Sequence, residues 1–208
     1  MNDQNSPWNH IRGMQPQSFC DWPGHVSTVL FTGGCNLHCP TCHNAGLAWH
    51  PEAHPPVGRE IVLSHLQKHH AWLDGVVITG GEPTLVAGLD RVCRDCLDCG
   101  LPCKLDTNGL RPDVVDELLE RELVAIVAVD VKGPWAKYPE LTGDACTADQ
   151  AQTNLEKIFA LNARFPGRFT FRCTKVPPLS AADLTATQKL LPPEMELAFQ
   201  DYIPPRPQ

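Results

Sequence analysis

The sequence predicts an α/β protein built as a partial, open (βα)6 TIM-like barrel with parallel strands. Three observations predict it. Short β-rich runs alternate with segments whose apolar residues recur three and four apart. Polar and glycine residues gather where the strand runs end. The chain has 208 residues, short of the roughly 250 that an eight-fold βα barrel takes.

The strand runs are residues 26–34, 75–81, 103–108, 125–132, 169–176 and 195–202, where β-branched and aromatic residues concentrate. Helical periodicity covers residues 58–73, 84–99, 112–123, 149–165 and 180–191. Such alternation implies βαβ units and a parallel sheet. At roughly 31 residues per unit, the chain beyond a polar N-terminal arm, residues 1–24, holds about six units. Residues 25–205 are therefore expected to form the core domain, with reactive groups at the C-terminal strand ends and an open side suited to a large substrate.

Aliphatic, aromatic and cysteine residues make up 42% of the chain and charged residues 20%, enough to bury a core. Lys and Arg number 17 against 24 Asp and Glu, a net charge of −7 that argues against a nucleic-acid partner. The longest apolar runs are about six residues, far below the roughly eighteen of a membrane span. Met1-Asn2-Asp3-Gln4-Asn5 lacks both the positive start and the apolar middle of a signal peptide. The expected location is the cytoplasm, where the ten cysteines stay reduced and cysteine clusters read as metal or redox sites.

After the first strand run comes Gly33-Gly34-Cys35-Asn36-Leu37-His38-Cys39-Pro40-Thr41-Cys42-His43-Asn44, a C-x3-C-x2-C loop. Three thiolates can hold three irons of a [4Fe-4S] cluster, whereas electron-carrying clusters are usually closed by four. The fourth iron then stays open for a ligand. A structural zinc loop or buried thiols is the alternative on spacing alone. At the end of a first strand, the motif resembles the signature of the radical S-adenosylmethionine superfamily. The resemblance implies that S-adenosylmethionine chelates the open iron and that one electron cleaves it to a hydrogen-abstracting 5′-deoxyadenosyl radical. Thr41 stands where the family usually has an aromatic residue.

The second strand run ends in Thr79-Gly80-Gly81-Glu82-Pro83. Paired glycines let a ligand approach the backbone closely, and a carboxylate beside them can accept from an ammonium. The run resembles the superfamily's Gly-Gly-Glu-Pro motif, which holds the methionine amino group. The next two runs end in Asp106-Thr107-Asn108-Gly109 and Asp130-Val131-Lys132-Gly133. Resemblance to activating enzymes of glycyl radical enzymes implies that Lys132 pairs with the methionine carboxylate and Asp106 with the amino group. It also implies a monovalent cation at Asp106, Thr107 and Asp130, and a role for Arg172 on the fifth strand. The S-adenosylmethionine site implied in this way comprises Thr41, His43, Gly80, Gly81, Glu82, Asp106, Asn108, Asp130, Lys132 and Arg172. Some relatives place a late histidine near the ribose, but here no histidine follows His70.

Before the first strand stands Asp21-Trp22-Pro23-Gly24. This Asp-x-Pro-Gly turn, with Cys42-His43-Asn44 ending the cluster loop, resembles glycyl-radical-enzyme activases, in which Asp21 would contact the partner's glycine-bearing loop. Activases of the pyruvate formate-lyase kind usually carry Gly at the position of Trp22. An aromatic there and the short chain resemble activating proteins of anaerobic ribonucleoside-triphosphate (ribonucleotide) reductase. The resemblance implies that reductase as protein substrate and a flavodoxin or ferredoxin-like reductant. The alternatives are an activase for another glycyl radical enzyme, a short family member acting on a small molecule such as a deazapurine precursor, and a non-enzymatic iron–sulfur or zinc protein.

Cys93, Cys96, Cys99 and Cys103 have a ferredoxin-like spacing and raise a second cluster. Against it, Cys93 and Cys96 share an apolar stripe with Leu89 and Val92, and a helix spreads Cys93 and Cys99 about 9 Å along its axis. Core cysteines are the favoured reading. His65 and His69, four apart on a predicted helix, lack an evident third ligand and read as a solvated face.

Overall fold

A computed structural model describes residues 6–204. Residues 1–5, the start of the expected arm, and Pro205, the end of the expected core domain, lie outside the described residues. One seven-stranded sheet runs in chain order: β1 (Ile11–Ser18), β2 (Ser27–Thr32), β3 (Gly75–Gly80), β4 (Cys103–Thr107), β5 (Ile126–Asp130), β6 (Phe169–Lys175) and β7 (Leu197–Asp201). β2 to β7 pair in parallel, each with the next, and β1 pairs antiparallel with β2 at the edge. The helices are α1 (Ala45–Trp49), α2 (Arg59–His69), α3 (Leu89–Asp98), α4 (Pro112–Glu120), α5 (Tyr138–Thr142), α6 (Ala148–Arg164) and α7 (Ala181–Gln188). Among the described residues, no helix is long and apolar enough to cross a membrane.

The six expected strands all form, and the expected arm adds a seventh. Within it, Trp8 and Ile11 are buried in the main core, and the Trp8 indole donates to Asp95 of α3 at 2.8 Å. The helices begin where local chemistry starts them. Thr147 with Gln150, and Ser180 with Asp183, form capping boxes on α6 and α7, and Pro112 opens α4.

Alternation along the strands separates two faces. Leu30, Ile78, Leu105, Val127, Val129 and Phe171 belong to the main core that includes the helices' buried residues. The opposite face is apolar only at one end, where Val29 and Val77 pack on Trp22 beside Phe31 and Ile126. Trp22 lies at the N-terminal ends of the strands, stacked on His25 at 4.7 Å, and a side chain at Gly75 would collide with it. The aromatic residue of the Asp-x-Pro-Gly turn therefore closes the floor of the inner face. Towards the C-terminal ends, the inner face turns polar.

Candidate active site

The cluster loop leaves β2 at the C-terminal rim. Cys35, Cys39 and Cys42 are partly buried free thiols. The loop is held by backbone on all sides: the Gly34 amide donates to Leu47 O at 2.9 Å, the His38 amide to Thr142 O at 3.0 Å, and the Glu82 amide to Gly34 O at 2.8 Å. The Trp49 indole donates to Leu37 O at 3.2 Å. Helices α1 and α5, which periodicity does not reveal at five residues each, supply part of this cradle. Burial pushes the Cys35 thiol up to about 11 and raises Cys39 as well. Such thiols stay protonated at neutral pH until a metal displaces the proton. Three thiolates on one loop are the donor set that can hold three irons of a cubane.

The glycines after β3 serve a close approach, and the structure identifies what approaches. Gly80 has φ +115°, and a Cβ there would overlap the Thr32 backbone; a Cβ on Gly81 would overlap the carbonyl of Gly34. The pair lets the end of β3 press against the root of the cluster loop. Gly81→Ala is expected to displace that loop, lowering stability by about 1–3 kcal/mol together with iron retention, as read by urea unfolding and iron assay.

Glu82 is turned into the protein. It is 1% exposed. Oε1 accepts from the Thr84 amide at 3.2 Å, the Thr84 hydroxyl at 2.5 Å and the Thr107 hydroxyl at 2.6 Å, and Oε2 accepts from the Asn108 amide at 2.8 Å. Burial raises its carboxyl above the ordinary value while these bonds pull it back down. Glu82 thus ties β3 to β4, and Asn108 carries the tie onward by donating to Asn36 of the cluster loop at 2.8 Å.

Across β4, β5 and β6 runs a ladder of alternating charge. The Lys104 ammonium contacts Asp106 Oδ1, and Arg172 Nη2 donates to Asp106 Oδ2 at 3.1 Å. Arg172 Nε contacts Asp130 Oδ1, and the Lys132 ammonium donates to Asp130 Oδ2 at 3.0 Å. Although burial opposes its charge, Lys132 and Arg172 hold Asp130 well below the ordinary carboxylate range. The Tyr138 hydroxyl accepts from the Lys132 amide at 3.1 Å and fixes the turn after β5. Lys104 and Tyr138 were missed in the sequence; a lysine two residues before an aspartate on a buried strand was the available signal for Lys104.

Other expected site residues lie apart. Thr41 is partly buried on the loop, while exposed His43 faces the C-terminal segment, its ring 5.5 Å from that of Tyr202 and Nε2 2.5 Å from Ile203 O. Asp21 sits at the opposite end of β2 from the cysteines, roughly 16–20 Å away at strand rise, in contact with the Ser18 hydroxyl. Cys93, Cys96 and Cys103 are fully buried core thiols, and hydrogen bonding with Cys93 and Cys96 raises Cys103 well above its ordinary value. Cys99 follows α3, partly buried and packed against the same core.

The Radical SAM superfamily profile matches residues 29–191. A Methanocaldococcus jannaschii protein, provisionally named a glycyl-radical enzyme activating enzyme, is 34% identical over 152 residues, covering 73% of this chain and 62% of that protein. The 7-carboxy-7-deazaguanine synthase of Hyperthermus butylicus is 35% identical over 133 residues, 59% of this chain and 55% of that enzyme. The solved structure of anSMEcpe with bound AdoMet shares the fold at TM-score 0.58 and 17% identity, over 83% of this chain and 50% of that one. The chain thus spans about half to three fifths of the relatives it matches. With the open parallel sheet and the three-cysteine loop at its rim, the match establishes that the chain belongs to the Radical SAM superfamily, enzymes that work with a [4Fe-4S] cluster and S-adenosylmethionine.

Proposed function

We propose that this chain is an activating enzyme that generates a glycyl radical on an anaerobic ribonucleoside-triphosphate reductase. The observation that supports an activase is the relationship to the M. jannaschii protein over nearly three quarters of the chain; the choice of this reductase rests on the aromatic Trp22 in the Asp-x-Pro-Gly turn. The turn at Asp21 adds to it, because Phe19 beside it is 75% exposed and offers an apolar contact to a protein partner. Cys35, Cys39 and Cys42 would hold the [4Fe-4S] cluster with which S-adenosylmethionine works. Together, cluster and S-adenosylmethionine would supply, by one-electron reductive cleavage to methionine, the radical that takes a hydrogen atom from a backbone glycine and becomes 5′-deoxyadenosine.

The chain's own residues bind, orient and exclude water. Lys132 and Arg172, each about a quarter exposed, present positive charge at the mouth of the inner face to a carboxylate. The bonds from Asn108 to Asn36 and from His38 to Thr142 hold the cluster loop over that mouth. An extended partner segment of about six residues spans the distance from Asp21 to the cysteines. A flavodoxin or ferredoxin-like protein supplies the electron.

The reading as a non-enzymatic metal protein falls with the family assignment. A small-molecule reaction is the second reading, favoured by the H. butylicus relative. The test mixes anaerobically reconstituted protein, reductant and S-adenosylmethionine with the candidate reductase and records electron paramagnetic resonance. A doublet lost on glycine-to-alanine replacement in the reductase supports the proposal. Cleavage stimulated by a deazapurine precursor, with no radical on the reductase, overturns it in favour of the second reading.

A further inference from the structure

The resemblance to activases implies a monovalent cation bound by Asp106, Thr107 and Asp130, and the side chains present do not fit one. Both carboxylates are already bound on both oxygens by side-chain cations: Asp106 by Lys104 and Arg172, Asp130 by Arg172 and Lys132. The Thr107 hydroxyl donates to Glu82 and accepts from the Gly109 amide at 3.1 Å. The ladder holds three cations against two carboxylates, a net charge of +1. Even with the Glu82 carboxyl beside Thr107 counted, a further unit cation would find no carboxylate oxygen of Asp106 or Asp130 without a side-chain cation already on it.

Lys104 is the member that makes the difference. Its side chain is 4% exposed and that of Asp106 is 8%. A lysine is buried to that degree only when paired, since an unpaired ammonium away from water is very costly. Positions 104 and 106 point to the same face of β4, and the four-carbon stem lets the ammonium reach the next inward carboxylate. The contact lies on the Asp106 oxygen that Arg172 leaves free.

We propose that the Lys104 ammonium occupies the place of the monovalent cation between these strands, so that this chain requires no such ion. The experiment compares thermal unfolding of the reconstituted enzyme in KCl, NaCl and choline chloride at equal ionic strength, with thallium(I) nitrate as a nuclear-magnetic-resonance probe of potassium-type sites. The wild-type midpoint is expected to agree across the three salts within about 1 °C, with no saturable thallium signal. Lys104→Met, which keeps the stem and loses the charge, is expected to unfold roughly 6–15 °C lower in choline. KCl or NaCl should restore at least half of that drop, with saturable thallium binding. Lys104→Arg is expected to keep the wild-type indifference. A wild-type protein that binds thallium saturably or gains stability specifically from potassium or sodium overturns the proposal. So does a folded Lys104→Met protein indifferent to the cation. If Lys104→Met does not fold, the wild-type titration decides alone.

Discussion

Glu82→Ala is expected to lower unfolding free energy by about 3–5 kcal/mol, which for a chain of this size moves the melting midpoint down by roughly 6–15 °C. The cause is the four hydrogen bonds that converge on one buried carboxyl. Removing it strands two backbone amides and two hydroxyls where water does not reach, and unmet buried donors cost more than the bonds were worth net. Glu82→Gln is expected to lose less, because the amide keeps one acceptor but turns an NH2 group towards donors. Urea unfolding of the metal-free protein measures both. Unchanged stability together with weakened S-adenosylmethionine binding would instead make Glu82 a direct ligand contact.

Cys39→Ala is expected to reduce iron after anaerobic reconstitution from about four per chain to less than one, and to abolish reductive cleavage of S-adenosylmethionine. Its sulfur lies on a rim loop outside the strands, so the metal-free variant should melt within a few degrees, about 3 °C, of the parent. Cys93→Ala should show the reverse pattern. The Cys93 thiol is fully buried in the main core, so its loss costs about 1–3 kcal/mol in packing and leaves the iron count intact. Iron assay and calorimetry on the two variants separate the roles. Full iron loading of Cys39→Ala would remove that residue from the ligand set.

The parallel strands were legible because each is an apolar, β-branched run ending in turn residues, and those properties are local. β1 was not legible: Arg12, Gln15, Pro16 and Gln17 break any alternation, and the strand exists because it pairs with the free edge of β2. The cysteine loop was legible from spacing. The inward turn of Glu82 was not, since it depends on Thr107 and Asn108 arriving from the next strand. The glycines at 80 and 81 read as room for a ligand, whereas in the fold it is the Thr32 and Gly34 backbones that press against them, a contact set by β2 and the loop after it. The ferredoxin-like spacing from Cys93 to Cys103 left two readings open in the sequence; in the fold, α3 buries Cys93 and Cys96 on one stripe, and Cys103 enters the core on β4.

The charge ladder also acts as a proofreading device for assembly. On the helix side, β4, β5 and β6 present interchangeable aliphatic and aromatic surfaces, with Leu105, Val127, Val129 and Phe171 in one core, and grease alone distinguishes poorly between neighbouring alignments. Sliding β5 by one residue would turn Asp130 and Lys132 together towards that core and leave Arg172 without the Asp130 carboxylate. An unpaired charge buried there costs several kcal/mol, about the size of a small domain's whole stability margin. The inner face therefore penalises misaligned intermediates that the outer face would tolerate.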